Sequence, residues 1–328
     1  MMVLCDNLVK IYKTKEIEVV ALQGLDLTVE EGELMGIIGS SGSGKSTLLN
    51  MLGGLDKPSA GILQVDGKNM LKLSAKQMIQ YRKKTVGFMW QNNARNLIPY
   101  LTAVENVELP MYLSGKVSRP RALELLDMVG MLKRKDSKLD QLSGGEQQRI
   151  AMAIAVANSP KLLLADEPTG AVDTKTSNMI MDAFRELNKN LGVTVIIVTH
   201  DLRLAKQVNR VVSIRDGRTS SEFVRKSYRE ELAEVGELDE RQEEEEQEEF
   251  VVLDRAGRLQ IPKEYMDALH LSGKNKLKVE LEGDRIVVHA PEPEKPKTED
   301  VQTDGAAAGA QPQVSPAAPS GAAASPRS

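Results

Sequence analysis

A glycine-rich segment between an apolar run and a helix-like run constrains the fold more than any other feature of the sequence. The segment Gly39–Thr47 reads GSSGSGKST and follows the apolar run Leu34–Ile38. Glycines allow a tight turn and let backbone N–H groups approach an anion, while the start of the next helix adds partial positive charge. The spacing G-x-x-x-x-G-K-S is that of a P-loop, in which Lys45 reaches the β- and γ-phosphates and Ser46 reaches Mg²⁺. The sequence therefore predicts a nucleoside-triphosphate site.

The residues of this loop that we assign to the nucleotide are Gly39, Ser40, Gly42, Gly44, Lys45, Ser46 and Thr47. A flexible turn rich in glycine and serine is the alternative interpretation. We favour the nucleotide site because the loop joins a predicted strand to a predicted helix, which is the context that the motif requires.

Composition and length are typical of a globular chain with room for more than one domain. The chain has 328 residues, of which 41% are hydrophobic and 27% are charged, which allows one domain of ordinary size and a smaller one. No apolar run approaches the roughly 20 residues that a transmembrane helix needs, and residues 1–6 lack the basic and apolar regions of an export signal. Because Cys5 is the one cysteine, we expect a reduced, cytosolic setting.

Four short apolar runs alternate with helix-like stretches and predict the buried strands of an α/β sheet. These runs are Val86–Met89, Leu162–Ala165, Thr194–Val198 and Arg210–Ile214. Asp166 follows the second run, at a strand end where it can hold the same Mg²⁺ as Ser46. Glu167 is then placed to orient or deprotonate the water that attacks the γ-phosphate. A plain helix N-cap is the alternative for this acidic pair.

A second helix start with glycines lies in Leu142–Arg149, which reads LSGGEQQR. Ser143 and Glu146 have the spacing of a capping box, and the glycines at 144 and 145 are expected to leave the first N–H groups accessible to an anion. One chain therefore carries two phosphate-binding helix starts but a single P-loop. The economical arrangement is a head-to-tail homodimer, in which the Ser143 end of each copy meets the ATP on the P-loop of the other.

Taken together, GSSGSGKST, LSGGEQQR, LLLADEP and the later Thr199-His200-Asp201 resemble the ATPase subunits of ABC transporters, over about residues 2–220. The resemblance implies that Tyr12 stacks on adenine, for which half-buried packing is the alternative. It also implies that Gln91 links the γ-phosphate and metal to a membrane subunit, and that His200 contacts the γ-phosphate. The implied Mg²⁺ ligands are Ser46, Gln91 and Asp166, and the implied nucleotide contacts at the dimer seam are Ser143, Gly144, Gly145, Gln147 and Asp173.

Two further stretches, Gly54–Gly61 and Asn96–Pro110, resemble the subgroup that serves macrolide efflux, lipoprotein release and antimicrobial-peptide resistance. In that subgroup a homodimer of the ATPase drives a membrane permease. The resemblance therefore implies that a permease helix docks near Gln91–Met111. It also implies a peripheral location on the cytoplasmic face of the membrane.

An acidic block divides the sequence after about residue 225. Glu230–Glu249 holds twelve acidic residues and one base, and such a run is expected to stay solvated as a linker or exposed helix. Phe250–Pro262 predicts strand, glycine turn and strand, followed by a short helix to about Leu269 and a hairpin around Gly283. This segment resembles the AbrB-like swapped-hairpin domain, which implies an interlocked dimer. Its nearly balanced charge beside the acidic block disfavours DNA as a partner.

These observations predict an α/β fold class with four regions. They are a P-loop ABC ATPase domain with antiparallel β and helical subdomains at 1–225, an acidic linker or helix at 226–249, a small β-rich swapped-hairpin dimerisation domain at 250–290, and a disordered Pro/Ala-rich tail at 291–328. The predicted function is that of an ATP-hydrolysing, Mg²⁺-dependent motor subunit that drives a permease through homodimerisation. A soluble ABC ATPase, or a DNA-binding regulator that senses ATP, is the alternative.

Overall fold

The computed structural model describes residues 1–13, 17–91, 96–170, 172–201, 207–225, 247–253, 257–271, 277–283 and 285–289. Two compact units make up the chain, Met1–Leu269 and His270–Ser328. Within the described ranges, the first unit holds a four-stranded and a seven-stranded sheet with their helices, and the second holds a two-stranded hairpin.

The described residues form strands β1 to β13 and helices α1 to α7. The strands are β1 (Val3–Lys13), β2 (Glu18–Val29), β3 (Leu34–Ile38), β4 (Ala60–Val65), β5 (Lys68–Asn69), β6 (Val86–Met89), β7 (Leu162–Asp166), β8 (Thr194–Thr199), β9 (Arg210–Arg215), β10 (Arg218–Arg225), β11 (Gln247–Val251), β12 (Lys278–Glu282) and β13 (Arg285–His289). The helices are α1 (Lys45–Leu52), α2 (Ala75–Lys84), α3 (Ala103–Ser114), α4 (Arg119–Met128), α5 (Gly144–Val156), α6 (Thr174–Leu191) and α7 (Lys263–Ala268).

The seven-stranded sheet has the order β11-β10-β9-β3-β8-β7-β6, and its strands from β9 to β6 pair in parallel. These parallel strands are buried on both faces, which explains why they read as continuous apolar runs. In β3, Met35 and Ile37 belong to one apolar cluster, and Leu34 and Ile38 belong to the other. The four predicted strands are confirmed within this sheet, as is the α/β architecture.

The four-stranded antiparallel sheet has the order β2-β1-β4-β5 and shares an apolar core with α1 and one face of the parallel sheet. Helices α3 to α6 contribute to the core on the other face. Capping boxes at Ser74, Thr102 and Ser143 begin α2, α3 and α5, so backbone N–H groups at these helix starts have partners. Within the described ranges, no helix combines the length and apolar character needed to cross a bilayer.

After the acidic block, the chain returns to the edge of the seven-stranded sheet. Strand β11 pairs antiparallel with β10, and Arg225 lies opposite Gln247. The predicted acidic linker at 226–249 therefore overlaps this strand at residues 247–249, because the backbone there completes an edge of β10 that would otherwise be open. Residues 226–246 lie outside the described residues, so the remainder of the linker stays a prediction.

The described C-terminal segments hold an isolated bridge, a short helix and a hairpin. Leu253 bridges Leu259, and Gly257 has φ 75°. Helix α7 begins after Pro262, and β12 and β13 form a hairpin in which Leu281 lies opposite Ile286. The swapped-hairpin interpretation of 250–290 stays a prediction. The predicted tail at 291–328 lies outside the described residues.

Candidate active site

The predicted P-loop lies between β3 and α1, and neighbouring backbone leaves no room for a side chain at two of its glycines. Gly44 precedes α1 with φ 105°, in the left-handed region that glycine adopts without strain. A Cβ on Gly44 would lie 2.7 Å from the Ala21 carbonyl oxygen, and one on Gly39 would lie 2.2 Å from that of Ile214. Because α1 also begins without a side-chain cap, its start suits an anionic ligand.

Lys45 is held inside this loop. Its Nζ donates hydrogen bonds to the carbonyl oxygens of Gly39 at 2.7 Å and Ser40 at 2.8 Å, and the residue is 8% exposed. Burial lowers the pKa of Lys45, and the charges of Glu167 and Asp166 oppose this shift. A phosphate at the helix start would offer Lys45 a charged acceptor in place of two neutral ones.

Asp166 ends β7 beside the first turn of α1. The Ser46 side chain lies close enough to this carboxylate to influence its pKa. Burial raises the pKa of Asp166 and the charge of Glu167 raises it further, while Lys45 and Ser46 act in the opposite direction. A partly buried carboxylate and a hydroxyl form an oxygen donor pair that fits Mg²⁺. A divalent cation there would favour the ionised form of Asp166.

Glu167 and His200 meet where two neighbouring parallel strands end. Nδ1 of His200 lies 2.9 Å and 2.8 Å from the two carboxylate oxygens of Glu167, and the Thr199 hydroxyl donates to the same carboxylate at 3.5 Å. Glu167 has φ 47° although it is not glycine. Its N–H donates to the Val198 carbonyl at 2.9 Å, which helps to hold this otherwise unfavourable backbone conformation.

The second helix start has the predicted capping box. The Glu146 N–H donates to Ser143 Oγ at 3.4 Å, and the Ser143 N–H donates to Glu146 Oε2 at 2.8 Å. Arg134 forms an ion pair with Glu146 at 3.1 Å. The hydrogen bond from the Ser143 backbone, with help from Arg134, lowers the pKa of Glu146. Glu146 is therefore committed to the cap, and Gly144 lies exposed at the start of α5.

The two glycines of this motif have different surroundings. A Cβ on Gly145 would lie 2.1 Å from Cγ2 of Thr176, whereas one on Gly144 would meet no atom within 4 Å. Thr176 belongs to the cap of α6, where Asp173 accepts hydrogen bonds from the Thr176 N–H at 3.0 Å and from its hydroxyl at 2.7 Å. These bonds lower the pKa of Asp173. Gly145 therefore allows close packing between the starts of α5 and α6.

Three predicted site residues lie elsewhere. The Tyr12 hydroxyl donates to Asp56 at 2.8 Å, and the Asp56 N–H donates to the Asn50 carbonyl of α1 at 3.3 Å. Gln147 donates from Nε2 to backbone carbonyls of the segment before α5 at 3.1 Å and 3.0 Å. Gln91 is exposed two residues after β6, and residues 92–95 lie outside the described part of the chain.

The predicted site residues thus form two groups. The structure brings Lys45, Ser46, Asp166, Glu167 and His200 together at the P-loop, whereas Ser143, Gly144, Gly145 and Asp173 surround the starts of α5 and α6. Sequence reasoning assigns no role to several residues that contact predicted site residues, among them Lys10, Asp56, Thr176 and Thr199. Lys10 and Asp56 are 46 positions apart, so no local spacing could have indicated their contact.

A phosphate-binding helix start beside an acidic pair at the end of a parallel strand defines the class of P-loop ATPases. A model of the ABC transporter family matches residues 22–170. An uncharacterized ABC transporter ATP-binding protein of Thermotoga maritima is 47% identical over 212 residues, covering 64% of this chain and 89% of that protein. Another, MJ0796 of Methanocaldococcus jannaschii, is 44% identical over 228 residues, covering 67% of this chain and 96% of that protein.

A solved structure extends the comparison. It is the dimeric structure of a post-hydrolysis state of the ATP-binding cassette MJ0796 bound to ADP and Pi, with a TM-score of 0.63 and 42% identity over 69% of this chain and 100% of that chain. The chain therefore belongs to the family of ABC transporter ATP-binding proteins. The predictions of an α/β P-loop fold and of an ATPase are confirmed.

Proposed function

We propose that this chain is the ATP-hydrolysing motor of a transporter, in which two copies close around ATP and drive a membrane permease. The observation that carries the proposal is the contact of His200 with Glu167, 2.8 Å from one carboxylate oxygen, beside the cluster of Lys45, Ser46 and Asp166. This combination provides a phosphate site, a metal site and a base in one place. The dimeric ADP- and Pi-bound state of a relative at 42% identity supports a homodimer.

The P-loop residues fit ATP and Mg²⁺. The phosphates of ATP would lie against the backbone of this loop, which packs too closely at Gly39 and Gly44 to admit a side chain, with Lys45 as their cationic partner. Ser46, Asp166 and Gln91 would hold Mg²⁺, which supplies neutralisation of phosphate charge when bound.

Glu167 is the proposed base of hydrolysis. Its carboxylate accepts a proton from the attacking water, while Nδ1 of His200 and the hydroxyl of Thr199 hold that carboxylate in one orientation. The water oxygen bonds to the γ-phosphorus as the bond to the β–γ bridging oxygen breaks, which gives ADP and inorganic phosphate. We assign the other ring nitrogen of His200, Nε2, to the γ-phosphate.

The start of α5 would complete the site of the second copy. The exposed Gly144 would tolerate close approach of a phosphate, because even a Cβ there would meet no atom within 4 Å. The Ser143 end of α5 would add its helix start, and Gln147 and Asp173 would line the same seam. ATP would then lie between two copies, and its hydrolysis would release them.

The permease-docking surface is proposed on and before α3. Tyr100, Tyr112 and Leu113 are 73%, 73% and 76% exposed, and large exposed apolar side chains of this kind are typical of interaction sites. An open groove lined by Tyr100, Leu139 and Gln147 among others lies between the segment before α3 and α5. Movement of a docked helix would therefore reach the second anion site directly. The subgroup serving macrolide efflux, lipoprotein release and antimicrobial-peptide resistance fits this assignment.

Glu167→Gln tests the motor. We expect turnover to fall by about 10²- to 10⁴-fold, the usual effect of losing a general base, while ATP stays bound through desalting. A tagged Glu167→Gln chain loaded with ATP should capture a multi-span permease from detergent-solubilised membranes, identified by mass spectrometry. Glu186→Gln, which changes a carboxylate that bonds Asn190 on α6, is the matched control. Near-normal turnover contradicts the role of Glu167, and membranes that yield no permease contradict the motor.

The C-terminal segment at 250–290 is proposed as an AbrB-like swapped-hairpin domain that keeps two copies together. Val279, Leu281 and Ile286 of the hairpin are 63%, 76% and 71% exposed, which favours burial against a second copy. Leu281→Glu with Ile286→Glu should make the nucleotide-free full chain monomeric by light scattering. Glu282→Gln is the control. An unchanged dimer mass in the double variant argues against this clamp.

A further inference from the structure

The ring of Tyr12 is fixed by groups on one side and along its edge. Nζ of Lys10 lies 4.7 Å from the ring centroid, and the Tyr12 hydroxyl donates to Oδ2 of Asp56 at 2.8 Å. Tyr12 is nevertheless 39% exposed. With a cation over one face of the ring, the opposite face is the one available to a flat ligand.

Lys10 is a buried cation whose position is set by these same groups. The residue is 9% exposed, and its Nζ donates to Oδ1 of Asp56 at 2.6 Å and to the Lys57 carbonyl at 2.8 Å. A buried ammonium group is unfavourable unless it has charged and hydrogen-bonding partners. Asp56 and the ring of Tyr12 supply them, so the lysine, the carboxylate and the ring hold one another in place.

Asp56 joins this cluster to the helix of the P-loop. Its N–H donates to the carbonyl oxygen of Asn50, in α1, at 3.3 Å. Burial disfavours the charged form, but hydrogen bonds from Lys10 and Tyr12 hold the pKa of Asp56 below its usual range. One short helix therefore carries the phosphate cradle at its start and the anchor of Tyr12 just beyond its end.

We propose that Lys10 and Asp56 are positioning residues, which hold Tyr12 for stacking on the adenine of ATP. The inference rests on the proposed nucleotide site and deepens it. Lys10 covers one face of the ring, so that the base stacks on the other face, and Asp56 fixes the ring relative to the P-loop. Lys10 and Asp56 should therefore raise the affinity for ATP, which carries both a base and phosphates, and not the affinity for a phosphate ligand without a base.

The test compares the affinity of the full-length chain for ATP and for inorganic tripolyphosphate, which has no base. Lys10→Met and Asp56→Ala should weaken ATP binding roughly three- to tenfold and leave tripolyphosphate binding unchanged. Tyr12→Ala should weaken ATP binding about fivefold or more, as for one stacked base. The double variant with Lys10→Met and Tyr12→Ala should lose no more ATP affinity than Tyr12→Ala alone, because Lys10 acts through the ring.

Two control variants test whether the effect on ATP affinity comes from the cation at position 10 or from the loss of any cation in β1. Lys10→Arg keeps a cation near the ring and should restore most of the ATP affinity. Lys13→Met removes another cation of β1, one that is paired with Glu18 at 3.1 Å, and should change neither affinity.

The outcomes distinguish the inference from the proposed site. If Tyr12→Ala weakens ATP binding but Lys10→Met and Asp56→Ala do not, the inference is wrong and the adenine contact stands. Equal losses for ATP and tripolyphosphate would show that the two residues only support the fold, which also overturns the inference. If Tyr12→Ala leaves ATP affinity unchanged, the proposed adenine contact itself fails.

Discussion

Replacing each glycine of LSGGEQQR by alanine separates packing from function. In Gly145→Ala, the new Cβ would lie 2.1 Å from Cγ2 of Thr176, well inside contact distance. Thr176 can rotate away only by giving up the hydrogen bond from its hydroxyl to Asp173, which measures 2.7 Å. Water replaces the lost hydrogen bond at Asp173, because this carboxylate is exposed. The cost is therefore mainly that of overpacking, and we expect a destabilisation of about 1–3 kcal/mol.

Gly144→Ala should have the opposite pattern. A Cβ there would meet no atom within 4 Å, and alanine favours helix more than glycine by up to about 1 kcal/mol. Stability should therefore stay the same or rise slightly. If the start of α5 meets the ATP of a second copy, the added methyl group should lower turnover at least about tenfold, which corresponds to about 1.4 kcal/mol of lost transition-state stabilisation.

Thermal unfolding, followed by the fluorescence of the single tryptophan Trp90, measures the stability that the clash in Gly145→Ala removes. Each kcal/mol should shift the melting temperature by about 2–4 °C for a domain of this size. Thr176→Ser removes the clashing methyl group but keeps the hydroxyl, so it should restore most of the stability of Gly145→Ala. Equal melting temperatures for the two glycine variants, or no recovery with Thr176→Ser, would refute the packing argument. Unchanged turnover in Gly144→Ala would refute its interface role.

Two more predictions concern the P-loop and acid stability. Gly44→Ala, with its Cβ 2.7 Å from a backbone carbonyl oxygen, should weaken nucleotide binding at least about tenfold by calorimetry, whereas Gly32→Ala, which meets no atom within 4 Å, should not. Burial opposes ionisation of Asp66, but hydrogen bonds from Lys161 and Lys68 lower its pKa. The ionised carboxylate therefore stabilises the fold above the pKa that it has in the unfolded chain. This stabilisation is lost as the pH falls through the pKa of the folded state. In Asp66→Asn, the free energy of unfolding should therefore decrease less on acidification than in the unmodified chain, by less than about 1 kcal/mol. An equal decrease in both proteins contradicts this prediction.

Features encoded over a few residues are the ones that the sequence predicts well. The P-loop is read from nine consecutive residues, and the capping box of α5 depends on Ser143 and Glu146, which are three positions apart. Continuous apolar runs predict the strands because parallel strands are buried on both faces. The meeting of Glu167 and His200 spans 33 positions, yet it is predictable in kind, because residues after neighbouring parallel strands lie at one edge of the sheet.

Contacts that depend on how distant segments pack against one another are not predictable in this way. The pairing of Lys10 with Asp56 spans 46 positions and depends on how β1 lies against α1. The strand at 247–251 is another case. Its acidic composition indicates a solvated linker, but backbone pairing is decided by the open edge of β10, which is a property of the sheet and not of the segment.

The hairpin of β9 and β10 gives this C-terminal strand a physical connection to the P-loop. The N–H of Gly217, in the turn of that hairpin, donates to the Ser43 carbonyl at 3.0 Å, and the Gly217 carbonyl accepts from the Gln23 N–H at 2.9 Å. A Cβ on Gly217 would lie 2.7 Å from the Ala21 carbonyl oxygen, so only glycine allows this approach. Strand β10 leaves the turn and pairs with β11 from Ser221 to Arg225. The loop proposed to bind phosphate is therefore braced by the same hairpin whose second strand pairs with β11.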